Sequence, residues 1–459
     1  MYIKYNLTSL NALSPLDGRY FKSIYNLRNI LSEYSFILYR IEVEIIWIIS
    51  LSEIGIPEIN SLNFNTLKKL LNLIENFSEL DALRIKEIEN ITKHDVKSIE
   101  YWIKEVFSNN AKLTRFIEFI HFSCTSEDIN NVAYSLMLIR TKENIVIPYI
   151  SKIKNILKNF CKKQFNISML SRTHGQPAVS TKLSKEFLNI FMRIKKIFVI
   201  MTDIYPLAKL NGATGNYNAH IISYPEINWL KFSKSILNKL GLEQNVYTTQ
   251  IEPHDYMINF FNLIFQINSI LIDLNRDIWG YISLGYFKQN FHNLEIGSST
   301  MPQKINPIDF ENSEGNLGLA NAILNHFSIK LPISRWQRDL SDSTVLRNLS
   351  SAIGYSLLSW ISLIEGLNKL IVDESTIYRD INSHWEILTE PIQIIMKRFG
   401  IYNSYETLKN FSMGKKINKK ILHEFIKYVN LSDEYKIYLI NVSPRSYTGI
   451  AKKLSLKNF

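Results

Sequence analysis

The chain has 459 residues, 46% of them hydrophobic and 21% charged, with a formal net charge of +11. Aromatic residues are plentiful and no polar tract runs long, which excludes intrinsic disorder and leaves room for roughly two to four domains or one long helical body with end domains. The positive charge allows nucleic acid, an anionic membrane or a polyanionic small substrate as partner. However, Lys, Ile and Asn are spread along the whole chain, as in residues 67–72 (LKKLLN) and 417–420 (INKK), with no basic block, so compositional drift accounts for it and no nucleic acid is expected.

Apolar residues recur every three or four positions, glycine (16) and proline (12) are scarce, and alternating strand patterns are few. An all-α fold follows: a long central helical bundle with smaller N- and C-terminal helical domains, and soft boundaries that give 1–112, 113–365 and 366–459. The segment 14–20 (SPLDGRY) opens with a turn, after which Arg19 and Tyr20 can grip a phosphate oxygen. A helical stripe follows at Ile30, Tyr34, Ile37, Leu38, Ile41 and Ile45.

In 92–97 (TKHDVK), His94 is either an acid–base group or a capping or core histidine, and Asp95 either caps a helix or holds a ligand hydroxyl. The run 125–131 (TSEDINN) sets hydroxyls and acids at a helix start, where capping is the plain account. The helix it opens covers 125–141 and is expected to continue past Pro148 to Lys163. Next, 173–177 (THGQP) puts His174 between threonine and glycine just before a helix over 180–204, a place suited to acid–base work or to a capping histidine. Residues 211–216 (NGATGN) lack the spacing of a dinucleotide loop and read as a tight turn. The next long helix covers 255–279 and is expected to reach Phe287, its glycines being tolerated. Glycines at 315 and 318 read as a loop, and 335–348 (RWQRDLSDSTVLRN) places three arginines among hydroxyls, suited to phosphate or carboxylate or to a surface salt-bridge network.

The segment 297–307 (GSSTMPQKINP) carries two serines, two prolines and a lysine, more than a plain linker needs. Backbone N–H groups around Gly297–Ser299 can bind a carboxylate or an oxyanion, and Lys304 can neutralise an anion and help a serine act as its alkoxide. On chemistry alone this is an anion-binding loop. There is no phosphate loop, no zinc helix and no nucleophile elbow, so neither metal nor organic cofactor is expected. The two cysteines, Cys124 and Cys161, form no C-x-x-C pair, which points to a reducing compartment. The N-terminus lacks a signal-peptide core, and the apolar runs 45–51 and 260–274 are too short or too polar for a membrane span, so a cytoplasmic location is expected.

Together these segments resemble the fumarase/aspartase superfamily, whose signature loop reads loosely G-S-S-x-M-P-x-K-x-N-P. The contexts TKHDVK, THGQP, TSEDIN and QIEPHDY (250–256), with SPLDGRY and SRWQRDLSDSTVLRN, are similar to its adenylosuccinate lyase branch in the bacterial form, from about Ser14 to the end. Two positions depart from the pattern: Gln303, where histidine is frequent, and Lys93, where Asn or Arg is usual.

The resemblance implies an all-α homotetramer whose active sites each combine loops from three subunits, acting on a small nucleotide without cofactor. It implies elimination of fumarate from adenylosuccinate, giving AMP, and from the succinylocarboxamide ribotide (SAICAR), giving AICAR. By match to the family's motifs, Ser298 is the base, His174 the acid and His94 a supporting group. Ser299, Lys304 and Asn306 meet the succinyl carboxylates. Arg19, Tyr20, Arg338, Ser343 and Arg347 hold phosphate and ribose. Thr125, Ser126, Gln250 and Asn312 hold the succinyl part or the base, with Lys93 and Asp95 beside the substrate. Sibling lyases acting on argininosuccinate or fumarate, or an inactive relative of the same fold, are the alternatives.

Overall fold

The computed structural model describes residues 8–59, 62–290, 300–301 and 303–456. Helices dominate them, as the spacing of apolar residues predicts, and the additions are three two-stranded sheets. The chain packs into two compact units. The first comprises Met1–Ile150, Ile197–Ser269 and Gly315–Ile361; the second comprises Ser151–Lys196, Ile270–Glu314 and Ser362–Phe459.

The first unit is built on the Glu33–Glu53 helix, whose Ser32 cap accepts the Ser35 N–H. Ile37, Ile41, Ile45 and Ile48 line its inner face at helical spacing and are at most 3% exposed. It packs along the Ser126–Thr141 helix, itself buried on nearly every face. That helix does run on past Pro148. Proline lacks an N–H, and the turn before it widens into a π-helix, Lys142–Val146, in which the Ile147 N–H reaches the Lys142 carbonyl. The helix resumes as Ile147–Lys163.

An aromatic cluster in this unit encloses His220. Trp229, Tyr217 and Trp47 lie 4.9, 5.3 and 5.8 Å from its ring, and both of its nitrogens are buried with no hydrogen-bond partner among the described residues. Burial pushes its pKa down to about 4. An unfolded histidine takes up its proton near pH 6.5. The folded form therefore holds fewer protons between these values, and stability present above the unfolded pKa is lost as pH falls towards 4. We predict that the unfolding free energy drops by about 2 kcal/mol more between pH 7 and 5 in the parent than in His220→Phe. Equal acid sensitivity in the two proteins, read by denaturant titration, refutes the assignment.

In the second unit, β1 (Ser168–Thr173) and β2 (Gln176–Lys182) form an antiparallel hairpin. This corrects the sequence expectation that His174 lies in a loop just before a helix: the helix begins only at Leu183. Leu170 packs into the apolar cluster of the C-terminal helices with Ile387, Ile392, Leu422 and Ile426. Where the Ile308–Lys330 and Leu349–Lys369 helices meet, a Cβ on Gly366 would stand 2.9 Å from the Phe310 ring, so only glycine allows this approach.

Two further expectations are corrected. Gly315 and Gly318 do not form a loop. Both sit inside the Ile308–Lys330 helix, where nothing among the described residues lies within 4 Å of an added Cβ; two isolated glycines cost a helix about 1 kcal/mol each, and packing of its buried residues outweighs that. The helix from Asp255 ends at Ser283, short of Phe287, because Gly285 turns left-handed (φ 71°) and Phe287 enters a short strand. This Asp255–Ser283 helix is long and apolar enough to cross a membrane by composition. Its residues Phe261, Ile264, Ile267, Leu271, Leu274 and Ile278 are instead at most 1% exposed, inside protein.

Candidate active site

In the first unit the expected residues gather around helix ends. Lys93 closes the Glu79–Thr92 helix in the left-handed region (φ 56°), and His94 caps the next helix, Asp95–Ser108. The His94 Nδ1 accepts the Lys97 N–H at 3.1 Å, which leaves the proton of a neutral ring on Nε2. Asp95 therefore does not cap. It pairs with Arg40 at 2.5 Å and accepts the Val96 N–H at 2.9 Å. Burial raises its carboxyl, but Arg40 and the Val96 N–H outweigh this and hold it below the usual range.

Arg40 is 4% exposed, donates to Asn130 Oδ1 at 2.8 Å and stacks 3.8 Å over Phe36. Around these groups lies a cavity of about 290 Å³ that also touches Tyr134, Ser343 and Arg347. A second cavity of about 500 Å³ shares Glu33, Phe36, Tyr134 and Arg347 with it and reaches Ser14, Asp17 and Arg28. Arg19, exposed, and Tyr20, half-buried, stand on that same N-terminal turn. Arg347 is exposed at the end of the Ser341–Leu346 helix. Asp95, Ser343 and Arg347 thus share one polar pocket of ligand size.

Thr125 and Ser126 start the Ser126–Thr141 helix, and the Thr125 N–H donates to Asp128 at 2.9 Å, the capping role expected for this motif. Asp128 does more. Fully buried, it accepts the Asn211 N–H at 3.0 Å and the Gly212 N–H at 3.1 Å, and pairs with the equally buried Lys209 at 3.1 Å. It thereby ties the helix start to the 211–216 turn, where Gly212 and Gly215 have the positive φ that a tight turn needs. Gln250 donates to the Ala213 carbonyl of the same turn at 3.2 Å.

Arg338 bonds to Asp342 at 2.6 Å, Ser343 Oγ at 3.2 Å and Glu127 at 3.2 Å, and His254 Nε2 lies 3.2 Å from Asp342. Burial, reinforced by Asp342, pushes the Glu127 carboxyl up to about 7 against the pull of Arg338 and His254. Arg338 is one-fifth exposed and engaged by two carboxylates. It orients Ser343 within this unit, and part of its hydrogen-bonding capacity is already used.

In the second unit, His174 is exposed at the tip of the β1–β2 hairpin. Thr173 pairs with Gln176, leaving a two-residue turn in which His174 (φ 54°) and Gly175 (φ 72°) are both left-handed, as a type I′ turn requires. Lys304 is exposed, and its N–H turns back to the Met301 carbonyl at 3.0 Å. Asn306 is half-buried, and Asn312 donates to Ser362 Oγ at 3.1 Å. Ser298 and Ser299 lie outside the described residues.

Sequence reading missed Arg40, Asn130, Tyr134 and the Glu127–Asp342–His254 group. One signal was available: Arg40 interrupts the apolar stripe between Ile37 and Ile41, and a charge on a buried face needs a partner. That the partner is Asp95, 55 positions on, no local pattern shows.

A family profile described as "Lyase" matches residues 18–324, and one described as "Adenylosuccinate lyase C-terminal" matches 334–448. Adenylosuccinate lyase of Buchnera aphidicola is 50% identical over 451 residues, covering 98% of both chains. That of Haemophilus influenzae is 47% identical over 98% of both, and that of Escherichia coli 46% over 97% of this chain and 98% of its own. Solved structures of a Pseudomonas putida 3-carboxy-cis,cis-muconate lactonizing enzyme and a Mesorhizobium fumarate lyase each superpose with a TM-score of 0.76 over 94% of this chain, at 15% identity. They cover 95% and 96% of those chains and speak to the fold alone.

Proposed function

Since the chain belongs to the adenylosuccinate lyase family of carbon–nitrogen lyases, we propose that it eliminates fumarate from adenylosuccinate and from SAICAR, giving AMP and AICAR. The observation that carries this is near-complete, 46–50% identical coverage by adenylosuccinate lyases. The pocket of Asp95, Ser343 and Arg347, with the Nε2–H of His94 at its helix start, is consistent with a phosphorylated ligand.

The reaction removes a proton from the carbon beside a carboxylate, then breaks the C–N bond with the electron pair going to nitrogen, which is protonated. In our reading Ser298, as alkoxide, takes the carbon-bound proton. Lys304, Asn306 and Ser299 stabilise the doubly charged carboxylate that forms, and fixed donors of this kind are often the largest catalytic contribution. His174 protonates the leaving nitrogen. His94 orients the substrate beside Lys93 and Asp95. Arg19, Tyr20, Arg338, Ser343 and Arg347 hold phosphate and ribose, and Thr125, Ser126, Gln250 and Asn312 the succinyl part or the base. No metal or organic cofactor takes part.

The same reading makes the protein a cytoplasmic homotetramer with shared active sites and with domains divided near residues 112 and 365. Leu319, Ile329 and Trp336, 52%, 61% and 94% exposed, are apolar surface that assembly would cover.

The test is ultraviolet detection of fumarate release by the purified protein from adenylosuccinate, SAICAR and argininosuccinate, and of fumarate formation from malate. Turnover confined to the two purine substrates is expected. Turnover of argininosuccinate or malate alone moves the chain to a sibling activity, and silence on all four leaves an inactive relative.

A further inference from the structure

The hairpin that presents His174 is a two-stranded ribbon, and such a ribbon is marginally stable by itself. Its turn adds strain, because histidine is placed in a left-handed position that asparagine or glycine fills at less cost. Strain of this kind persists where surrounding contacts over-determine the backbone. The base of the hairpin is well held: Ser168 Oγ donates to the Arg445 carbonyl at 2.9 Å, Ser180 Oγ to the Pro444 carbonyl at 2.6 Å, and Leu170 is buried in the C-terminal cluster. These anchors stop short of a register shift between Leu170 and Arg172, beyond which the strand needs new support.

Arg172 supplies it, two residues before His174. Its Nη2 donates to Asp380 Oδ2 at 2.7 Å and its Nη1 to the Tyr286 hydroxyl at 2.9 Å. The Tyr286 hydroxyl itself donates to Asp380, which closes a three-membered ring of hydrogen bonds. Both partners are held by their surroundings. Tyr286 is 1% exposed and stacks on Tyr281 with centroids 5.9 Å apart, and Asp380 stands on the Glu374–Ser383 helix with His384 Nε2 3.5 Å from its other oxygen. Both terminal nitrogens of the guanidinium donate, one to a hydroxyl and one to a carboxylate, a fixed fork that lysine cannot fully reproduce.

We propose that the Arg172–Tyr286–Asp380 ring is the positioning device that fixes the tip of the hairpin and aims the His174 imidazole, an inference that rests on His174 being the proton donor. Arg172 acts through the backbone and does not touch the substrate. Displacing a reacting group by about 1 Å costs on the order of 10²-fold in rate, with ground-state binding little changed.

The experiment uses the full-length protein with adenylosuccinate. Arg172→Met lowers kcat by about 30- to 100-fold while KM stays within about threefold, and Arg172→Lys recovers about tenfold of the loss. Amide hydrogen exchange at Thr173–Gln176 quickens in Arg172→Met, and exchange at Ser168–Leu170 does not. A kcat within about threefold of the parent overturns the proposal. So does a loss of activity that tracks a general fall in melting temperature without rescue by lysine. If Arg172→Met does not fold, Asp380→Asn and Tyr286→Phe, which keep the shape of the ring, are read by the same criteria. If His174→Asn proves fully active, it is the assignment of His174 that fails, and the exchange measurement still tests the ring by itself.

Discussion

Replacing His174 by asparagine lowers kcat by about 10²- to 10⁴-fold, the range for loss of a general acid, while the folded chain keeps or slightly gains stability. The two halves of this expectation have separate causes. The imidazole is exposed at the hairpin tip, so its removal opens no cavity. The backbone at position 174 is left-handed and followed by a left-handed Gly175, and Asn-Gly is the sequence that a type I′ turn favours most. Relief of the turn contributes a few tenths to about 1 kcal/mol, seen as a small rise in denaturation midpoint. Most active-site substitutions confound chemistry with folding, and this one drives them apart. A variant that melts like the parent and turns over within about tenfold of it, a barrier change near 1.4 kcal/mol, removes His174 from the mechanism.

Ser298→Ala removes turnover by a comparable or larger factor, at least about 10²-fold, while adenylosuccinate still binds. A serine hydroxyl is a weak base in water. In the proposed mechanism its use depends on N–H donors and on Lys304 of the same sequence segment to stabilise the alkoxide. The substitution deletes one oxygen and none of the proposed phosphate- or carboxylate-binding groups, so binding measured by isothermal titration is expected to change little. Retention of kcat within about tenfold assigns the proton abstraction elsewhere. The two variants also test assembly. His174→Asn and Ser298→Ala, each inactive, are expected to regain up to about a quarter of parental activity after mixed refolding, because random assortment of shared sites restores some with both residues intact. Absence of recovery places both groups in one subunit.

Much of the architecture was legible because helices announce themselves locally. The stripe at Ile37, Ile41 and Ile45 marks the buried face of a helix wherever that helix packs, and the continuation of the Ser126–Thr141 helix past Pro148 was visible because the apolar spacing resumes beyond it. Two of the expectations that failed concern glycine. At 315 and 318 a helix absorbs two glycines because its inner face, with Phe310, Leu317, Leu324 and Phe327, is buried; at 285 a single glycine ends one. The same residue type has opposite outcomes, decided by packing energy that local sequence does not contain. The hairpin at 168–182 was missed for a related reason: its strands are short, one carries a proline, and their pairing is completed by contacts with residues 380, 444 and 445.

For the site, sequence by itself determined which side chains are expected to carry chemistry. On residues alone 297–307 reads as an anion-binding loop and His174 as an acid–base or capping histidine; the resemblance of the longer motifs to the family is what proposes their roles. Sequence also left His94 and Asp95 undecided between structural and chemical roles. Tertiary structure adds their local partners: the imidazole caps the helix through Nδ1, and the carboxylate is held by Arg40 from a distant helix. It likewise turned His174 from a residue before a helix into the strained tip of an anchored hairpin. The physical reason is range. Helical periodicity and motif spacing act over a few residues, whereas burial of a charge, the partner that neutralises it and the strain a turn can sustain depend on groups brought together across roughly 50 to 280 positions of chain.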